Sequence, residues 1–249
     1  MDHNIDAIFL DVGNTLRLVH EDESFQVQAR EQLAALIGAQ EPSATLFARL
    51  GARWKVYRKW SFENLAEASE KELWTRWLLP DHPAEQIAPL SGKLTRLWRD
   101  KDGRRLPRPD VKRTVIELSQ RGYRLGIIAN TITETEIPDW LEADGLTDYI
   151  QTVILSSQVR YRKPGPEIYW EATRRMGVEP ARCVYVGDNP IRDVQGTRKA
   201  GFGMVIILPE PGKSEIELPL DENKPDAIIH EFGDLLNIFP ARHVSGNGS

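Results

Sequence analysis

The stretch Ile8-Phe9-Leu10-Asp11-Val12-Gly13-Asn14-Thr15-Leu16 decides how this chain folds. It contains most of a short apolar run, Ala7–Val12, of the kind that forms a strand with both faces covered in a parallel sheet. Asp11 lies near the end of that run, and a Gly-Asn-Thr segment follows it. The stretch therefore predicts a buried strand that delivers a carboxylate to the edge of a sheet.

The rest of the chain repeats this pattern of apolar runs and helices. The later runs are Leu125–Ala129, Thr152–Leu155, Cys183–Val186, Met204–Leu208 and a weaker one at Ala227–His230. Helical patterns lie between them at Asp110–Gln120, Pro166–Met176 and Asp193–Ala200, the last ending at Gly201. This alternation predicts an α/β fold, with a parallel sheet flanked by helices.

The segment between the first two runs breaks the alternation. From Glu21 to Arg104 there is no strand-like run, but four helical patterns occur, at Ser24–Ile37, Ala44–Trp60, Lys71–Leu79 and Ala88–Trp98. Five of the seven tryptophans fall here, as expected for the core of a small helical bundle. We expect residues 18–105 to form an α-helical domain, residues 1–17 and 106–242 the sheet domain, and residues 243–249 a disordered tail.

Composition narrows the classes of function. The 249 residues include 32 Lys and Arg against 37 Asp and Glu, a net charge of −5, which argues against a nucleic-acid partner. The chain has one cysteine, Cys183, and no apolar stretch of the length that a membrane helix needs. We therefore expect a cytoplasmic protein without a membrane or nucleic-acid partner, either a monomer or a homodimer.

Polar residues follow four of the predicted strands. Asp11 follows the first, Asn130 and Thr131 the second, Lys163 the third, and Asp188 the fourth, with Asp193 five residues later. In an open parallel sheet the carboxyl ends of the strands form the ligand-binding edge. Carboxylates together with a lysine and an amide suit a divalent cation and a phosphate group.

In this order, these segments resemble the haloacid dehalogenase-like hydrolase superfamily. The resemblance rests on the motifs Phe9–Leu16, Ile127–Thr131, Arg162-Lys163-Pro164 and Val186–Asn189 with Asp193. It implies a Rossmann-like core, with the helical segment as a cap inserted after the first strand. For most members it also implies Mg²⁺-dependent hydrolysis of a small phosphorylated, or otherwise anionic, substrate through an aspartyl-phosphate.

The resemblance also assigns roles. Asp11 would be the nucleophile, and Asp11, the Gly13 carbonyl and Asp188 would hold Mg²⁺. Lys163 would bridge Asp11 and the phosphate, and Asp193 would orient Lys163 or a metal-bound water. Asn130, Thr131 and Lys163 would contact the phosphate.

The chain departs from the superfamily pattern at two positions. The phosphatases usually carry a second Asp two residues after the nucleophile, as general acid and base, and here that position is Gly13. A backbone with positive φ is one expected reason for glycine there. The hydroxyl residue expected at the end of the second strand is Ala129, unless Thr131 replaces it. The absence of the acid predicts slow turnover of alkyl phosphates, or a substrate whose leaving group needs no proton, and Ala129 removes one phosphate hydrogen bond.

Two further questions stay open from the sequence. A basic cluster (Arg49, Arg53, Lys55, Arg58 and Lys59, interleaved with Trp54, Tyr57 and Trp60) is either a solvated helix face or a contact surface for the substrate. The alternatives to a phosphatase are a hydrolase of C–X or C–P bonds, of the dehalogenase or phosphonatase type, and a binding or regulatory protein that kept the fold but lost efficient catalysis.

Overall fold

The computed structural model describes residues 5–212 and 224–242. The expected tail, 243–249, lies outside the described residues. A six-stranded parallel sheet forms the centre, in the order β5-β4-β1-β6-β7-β8. Its strands are β1 (Ala7–Leu10), β4 (Arg124–Ala129), β5 (Ile150–Leu155), β6 (Cys183–Gly187), β7 (Met204–Ile207) and β8 (Ala227–Ile228). All six predicted runs are therefore strands, and the α/β fold class is confirmed.

Helices cover both faces of the sheet. They are α6 (Val111–Gln120), α7 (Glu136–Ala143), α8 (Ser156–Val159), α9 (Glu167–Met176), α10 (Arg192–Ala200) and α11 (Leu235–Ile238). One apolar cluster joins β1 to α6 and α7, and another joins β1 to α9. Burial from both sides explains why every residue of β1 is apolar and inaccessible to solvent.

Helices also fill the segment between β1 and β4. They are α1 (Glu23–Leu36), α2 (Ser43–Glu63), α3 (Glu70–Glu72, continuing as π-helix through Leu73–Leu78), α4 (Ala84–Ile87, followed by one 3₁₀ turn) and α5 (Ser91–Asp100). We call residues 23–100 the helical insertion. The five tryptophans predicted for a bundle core all belong to one apolar cluster here, where Trp74 and Trp98 are fully buried.

A two-stranded antiparallel ribbon stands at the base of the helical insertion. It pairs β2 (Arg17–His20) with β3 (Arg104–Pro107), so the chain enters and leaves the insertion at adjacent points. The expected domain boundaries, near residues 18 and 105, fall within this ribbon. The division into two independent domains stays a prediction.

Within the described residues, no helix has both the length and the apolarity needed to cross a membrane.

Candidate active site

The carboxyl ends of β1 and β6 bring two aspartates together. Asp11 leaves β1 with its amide hydrogen-bonded to the Val186 carbonyl, at 2.9 Å, so its backbone stays aligned with the sheet edge. Asp188 directly follows Gly187, the last residue of β6. With Asp193 they form a group of three carboxylates whose nearest oxygens lie within 4.8 Å of one another.

Both carboxylate oxygens of Asp11 have partners. Oδ1 accepts a hydrogen bond from the amide of Val12, at 2.7 Å. Oδ2 lies 2.9 Å from Nζ of Lys163 and 2.8 Å from Nη2 of Arg192. The side chain is only 7% exposed, so these two cations supply most of the compensation for its buried charge.

Lys163 approaches Asp11 from inside the protein. Its side chain is completely buried, and Nζ also lies 3.6 Å from Asp193 and donates to the hydroxyl of Tyr185. Asn130 fixes the backbone at this position, because its amide group accepts from the Lys163 N–H at 2.9 Å and donates to the Lys163 carbonyl at 3.0 Å. The sequence-predicted contact between Lys163 and Asp11 is therefore present.

The pKa values of Asp188, which precedes α10, and Asp193, in the first turn of α10, shift in opposite directions. Burial, together with the negative charge of Asp11, raises the pKa of Asp188. Burial alone would raise the pKa of Asp193 too, but the positive charges of Lys163 and Arg192 outweigh it and hold that pKa below its usual value. Asp193 thus remains ionised beside Lys163, as a residue that orients the lysine would be.

Arg192 is the main site residue that the sequence reasoning missed. It begins α10, and its guanidinium contacts Asp11, Asp188 and Asp193 together. The only sequence signal for it is its position four residues after Asp188, in the turn that leads into α10.

The oxygen atoms at this edge fit a magnesium ion. Asp11 and Asp188 offer the hard anionic oxygens that Mg²⁺ prefers. The Gly13 carbonyl adds a neutral oxygen, and it accepts no hydrogen bond within the described residues. Two of these ligands, the carboxylates of Asp11 and Asp188, also contact Nη2 of Arg192.

Two glycines in the motifs have different physical reasons. A Cβ on Gly187 would collide with the Asp193 carboxylate and with the ring of Tyr185, so only glycine lets Asp193 pack against the end of β6. At Gly13 a Cβ would meet nothing within 4 Å, and φ is not positive. The expectation that strain explains Gly13 is therefore wrong; the residue with positive φ is its neighbour Asn14, at 56°.

The residues that follow β4 are engaged with other groups of the protein. Thr131 is buried, and its hydroxyl accepts from the Thr133 amide at 3.2 Å. The amide group of Asn130 is engaged with Lys163, as described above. Ala129 leaves no hydroxyl at the end of β4. The roles of Asn130 and Thr131 as phosphate contacts stay predictions, and the geometry adds a positioning role for Asn130.

The basic cluster of α2 divides into two groups. Arg49 and Arg53 pair with Asp81, and Lys55 and Lys59 are exposed, as in a solvated face. Arg58 differs: it forms no salt bridge within the described residues and instead stacks over Phe62, 4.5 Å from the ring centre. Burial and the charge of Arg162 lower its pKa.

Arg58 lines a cavity of about 90 Å³ between the helical insertion and the strand ends. The other walls come from the insertion and β3 on one side and from the segment after β4 on the other: Trp54, Glu67, Trp98, Arg99, Asp102, Arg105, Asn130, Thr131 and Ile132. Three arginines against two acids give the cavity a positive balance. Glu67 is neutralised by Arg162, Asp102 pairs with Lys101, and Arg99 pairs with Glu136, so the positive balance comes from Arg58 and Arg105.

Comparison with known proteins agrees with this geometry. The family model of the haloacid dehalogenase-like hydrolases matches residues 5–201. The solved structure of a 2-haloacid dehalogenase from Pseudomonas syringae pv. Tomato superposes with a TM-score of 0.68 at 21% identity, covering 94% of this chain and 97% of that one. The chain belongs to the haloacid dehalogenase-like hydrolase family.

Curated relatives are named as phosphatases. A glyceraldehyde 3-phosphate phosphatase of Methanopyrus kandleri is 33% identical over 53% of this chain and 56% of its own length. A phosphoglycolate phosphatase of Escherichia coli is 31% identical over 57% of this chain and 54% of its own length. The matches thus span about half the length of these relatives. Together with the family match, they identify the protein as a hydrolase.

Proposed function

We propose that this hydrolase is a Mg²⁺-dependent phosphatase of small phosphorylated molecules, with Asp11 as nucleophile. One observation carries the proposal: the Asp11 carboxylate lies 2.9 Å from a fully buried lysine and beside Asp188, at the carboxyl edge of a parallel sheet. The names of the curated relatives support the phosphatase assignment. A cytoplasmic location, and the choice between monomer and homodimer, remain predictions.

The reaction would proceed in two displacements. Asp11 attacks phosphorus, so that a bond forms between its carboxylate oxygen and phosphorus while the ester oxygen leaves with its electron pair. Lys163 neutralises the phosphate oxygens during this attack, and Asp193 orients Lys163. Mg²⁺ held by Asp11, Asp188 and the Gly13 carbonyl would supply further charge neutralisation. Water then cleaves the acyl phosphate, releasing phosphate and restoring Asp11.

Residue 13 offers no proton to the leaving group, because glycine has no side chain. The leaving oxygen therefore departs as an anion or takes its proton from water. We expect aryl phosphates, whose leaving groups are already acidic, to be better substrates than alkyl phosphates.

The first experiment is hydrolysis of p-nitrophenyl phosphate with and without Mg²⁺. We expect turnover in Mg²⁺, and its loss below a few per cent in Asp11→Asn, because the amide is nearly isosteric but a poor nucleophile. Asp148→Asn is the matched control: it makes the same chemical change at an exposed aspartate far along the chain, and it should keep full activity. Substantial turnover by Asp11→Asn would exclude the covalent mechanism.

A second candidate is hydrolysis of a carbon–halogen or carbon–phosphorus bond. The observation in its favour is that Lys163 and Arg192 both contact Asp11 Oδ2, which neutralises the nucleophile without a metal. Chloride release from 2-chloropropionate in the presence of a chelator would support it. Phosphate binding without turnover of either substrate would instead favour a binding or regulatory protein.

A further inference from the structure

One guanidinium reaches all three carboxylates of the site. Nη2 of Arg192 lies 2.8 Å from Asp11 Oδ2, 2.9 Å from Asp188 Oδ1 and 2.9 Å from Asp193 Oδ2. Its Nε donates to Asp193 Oδ1 at 2.8 Å. Arg192 therefore contacts, through one oxygen of each, the same two carboxylates, Asp11 and Asp188, that would hold a divalent cation.

The two cations of the site differ in mobility. Lys163 is fully buried and held by Tyr185, whereas the side chain of Arg192 is 28% exposed and lies on the solvent side. Lys163 cannot leave without opening the core, but Arg192 can rotate outward. Its Nε contact to Asp193 involves neither Asp11 nor Asp188, so it can persist when Nη2 moves away.

We propose that Arg192 and a divalent cation compete for Asp11 and Asp188, so that Arg192 lowers the affinity of the site for metal and covers the nucleophile until metal binds. This inference rests on the magnesium site of the proposed function. Arg192 is a positioning residue in this scheme, since it acts through Asp11 and Asp188.

Charge and geometry both require the competition. Mg²⁺ binds carboxylate oxygens at about 2.0–2.1 Å and tolerates little distortion of its octahedral shell. A guanidinium nitrogen already 2.8–2.9 Å from the same carboxylates would be placed against the ion, with like charges in contact. Moreover, Oδ2 of Asp11 accepts from two donors, Lys163 and Arg192, so the withdrawal of Arg192 makes that oxygen more nucleophilic.

Competition has a quantitative consequence. If the form with Arg192 withdrawn makes up about a tenth of the population, the apparent metal affinity is about tenfold weaker than the intrinsic one. Removing the guanidinium should therefore strengthen metal binding. A purely structural role for Arg192 predicts the opposite, because a disordered site binds metal less well.

Isothermal titration calorimetry of the full chain with MgCl₂ tests the inference without relying on activity. We expect Arg192→Gln to lower the Kd for Mg²⁺ by about tenfold relative to the original chain. Lys199→Gln is the matched control, because it removes one positive charge from the same helix at an exposed residue away from the three carboxylates. We expect it to change the Kd by no more than about twofold.

Thermal unfolding gives a second readout, since a ligand that binds the native state raises its stability by an amount that grows with the logarithm of its affinity. Mg²⁺ should raise the Tm of Arg192→Gln more than that of the original chain. If that variant does not fold, Arg192→Lys serves instead, because a compact ammonium cannot bridge three carboxylates at once, and its Kd should also fall.

Each other outcome overturns the proposal. An unchanged or weaker affinity in the folded variants would exclude competition while leaving the magnesium site of the proposed function standing. If neither the original chain nor any variant binds Mg²⁺, both the proposed competition and the assignment of a magnesium site are wrong.

Discussion

At residue 13 the backbone has room for a side chain that the chain does not carry. A Cβ there meets nothing within 4 Å, and the conformation is open to any residue. The missing acid is therefore no consequence of folding. What remains at the site is the Asp11 carboxylate, two cations and two further carboxylates, and residue 13 itself donates no proton.

Restoring the acid makes a residue-scale prediction. We expect Gly13→Asp to raise kcat/KM for an alkyl phosphate more than for an aryl phosphate, because only the alkoxide leaving group needs a proton badly. General acid help is worth about 10²–10⁴-fold at full effect, so even poor alignment should move the ratio of the two rates. The ratio should be measured on folded protein at saturating Mg²⁺.

The added carboxylate also slows both reactions, and the ratio of the two kcat/KM values is insensitive to that shared effect. Without metal, a third negative group near Asp11 and Asp188 adds repulsion, which lowers both rates alike. Gly13→Asn serves as control: it adds nearly the same volume without a titratable proton, and it should leave the ratio unchanged. A flat or falling ratio in Gly13→Asp would mean that residue 13 is not the vacant acid position.

At the scale of the structural elements, one buried ion pair connects the helical insertion to the sheet. Glu67, which follows α2, pairs with Arg162, which precedes the active-site lysine, and both side chains are almost inaccessible. Glu67 also accepts from the hydroxyl of Ser156 at the end of β5, at 3.1 Å, and from that of Tyr57 on α2. The loop that carries Lys163 is thus fixed from the insertion side as well.

We expect Glu67→Gln to lower the free energy of unfolding by about 3–5 kcal/mol, because it leaves Arg162 charged, buried and without its counter-ion. Urea denaturation measures this. Glu63→Gln is the control, since it breaks an exposed pair with Lys59 and should cost less than about 1 kcal/mol. Equal effects of the two variants would show that the buried pair is not what joins the elements.

The strands could be predicted from the sequence because burial on both faces leaves a continuous apolar run that no neighbouring element alters. The ribbon of β2 and β3 could not be predicted, because its short strands mix charged and apolar residues and are largely exposed, and pairing across 84 or more residues leaves no local signal. Helix α7 was missed as well, since Pro138 and acidic residues interrupt its apolar face.

The residues of the candidate site also fall into two groups, those that could be predicted from the sequence and those that could not. Asp11, Lys163, Asp188 and Asp193 could be predicted because they follow strands, and a parallel sheet brings strand ends together whatever the loops do. Arg192 and the Glu67–Arg162 pair depend on side-chain directions and on how the insertion packs, which spacing along the chain does not specify.

At the scale of the whole molecule, the helical insertion faces the carboxyl edge of the sheet across the cavity of about 90 Å³. On the sheet side the cavity is lined by Asn130, which hydrogen-bonds to Lys163, and by Thr131 and Ile132; on the insertion side Arg58 forms no salt bridge within the described residues. Arg58 is half-buried, and burial together with the positive charge of Arg162 lowers its pKa; an anionic ligand would offset this cost of burying the cation. This arrangement suits a substrate with a second negative group beyond its phosphate.

We therefore expect Arg58→Gln to lower kcat/KM for phosphoglycolate, which carries a carboxylate, more than for glyceraldehyde 3-phosphate, which carries none. A charged hydrogen bond to the second group is worth about 1.5–3 kcal/mol, which corresponds to a loss of about 10- to 150-fold that the uncharged substrate should not share. Lys55→Gln, an exposed residue on the same helix, controls for the change in overall charge and should affect both substrates weakly. Equal losses on the two substrates would mean that Arg58 supports the cavity wall and does not bind the second negative group of the substrate.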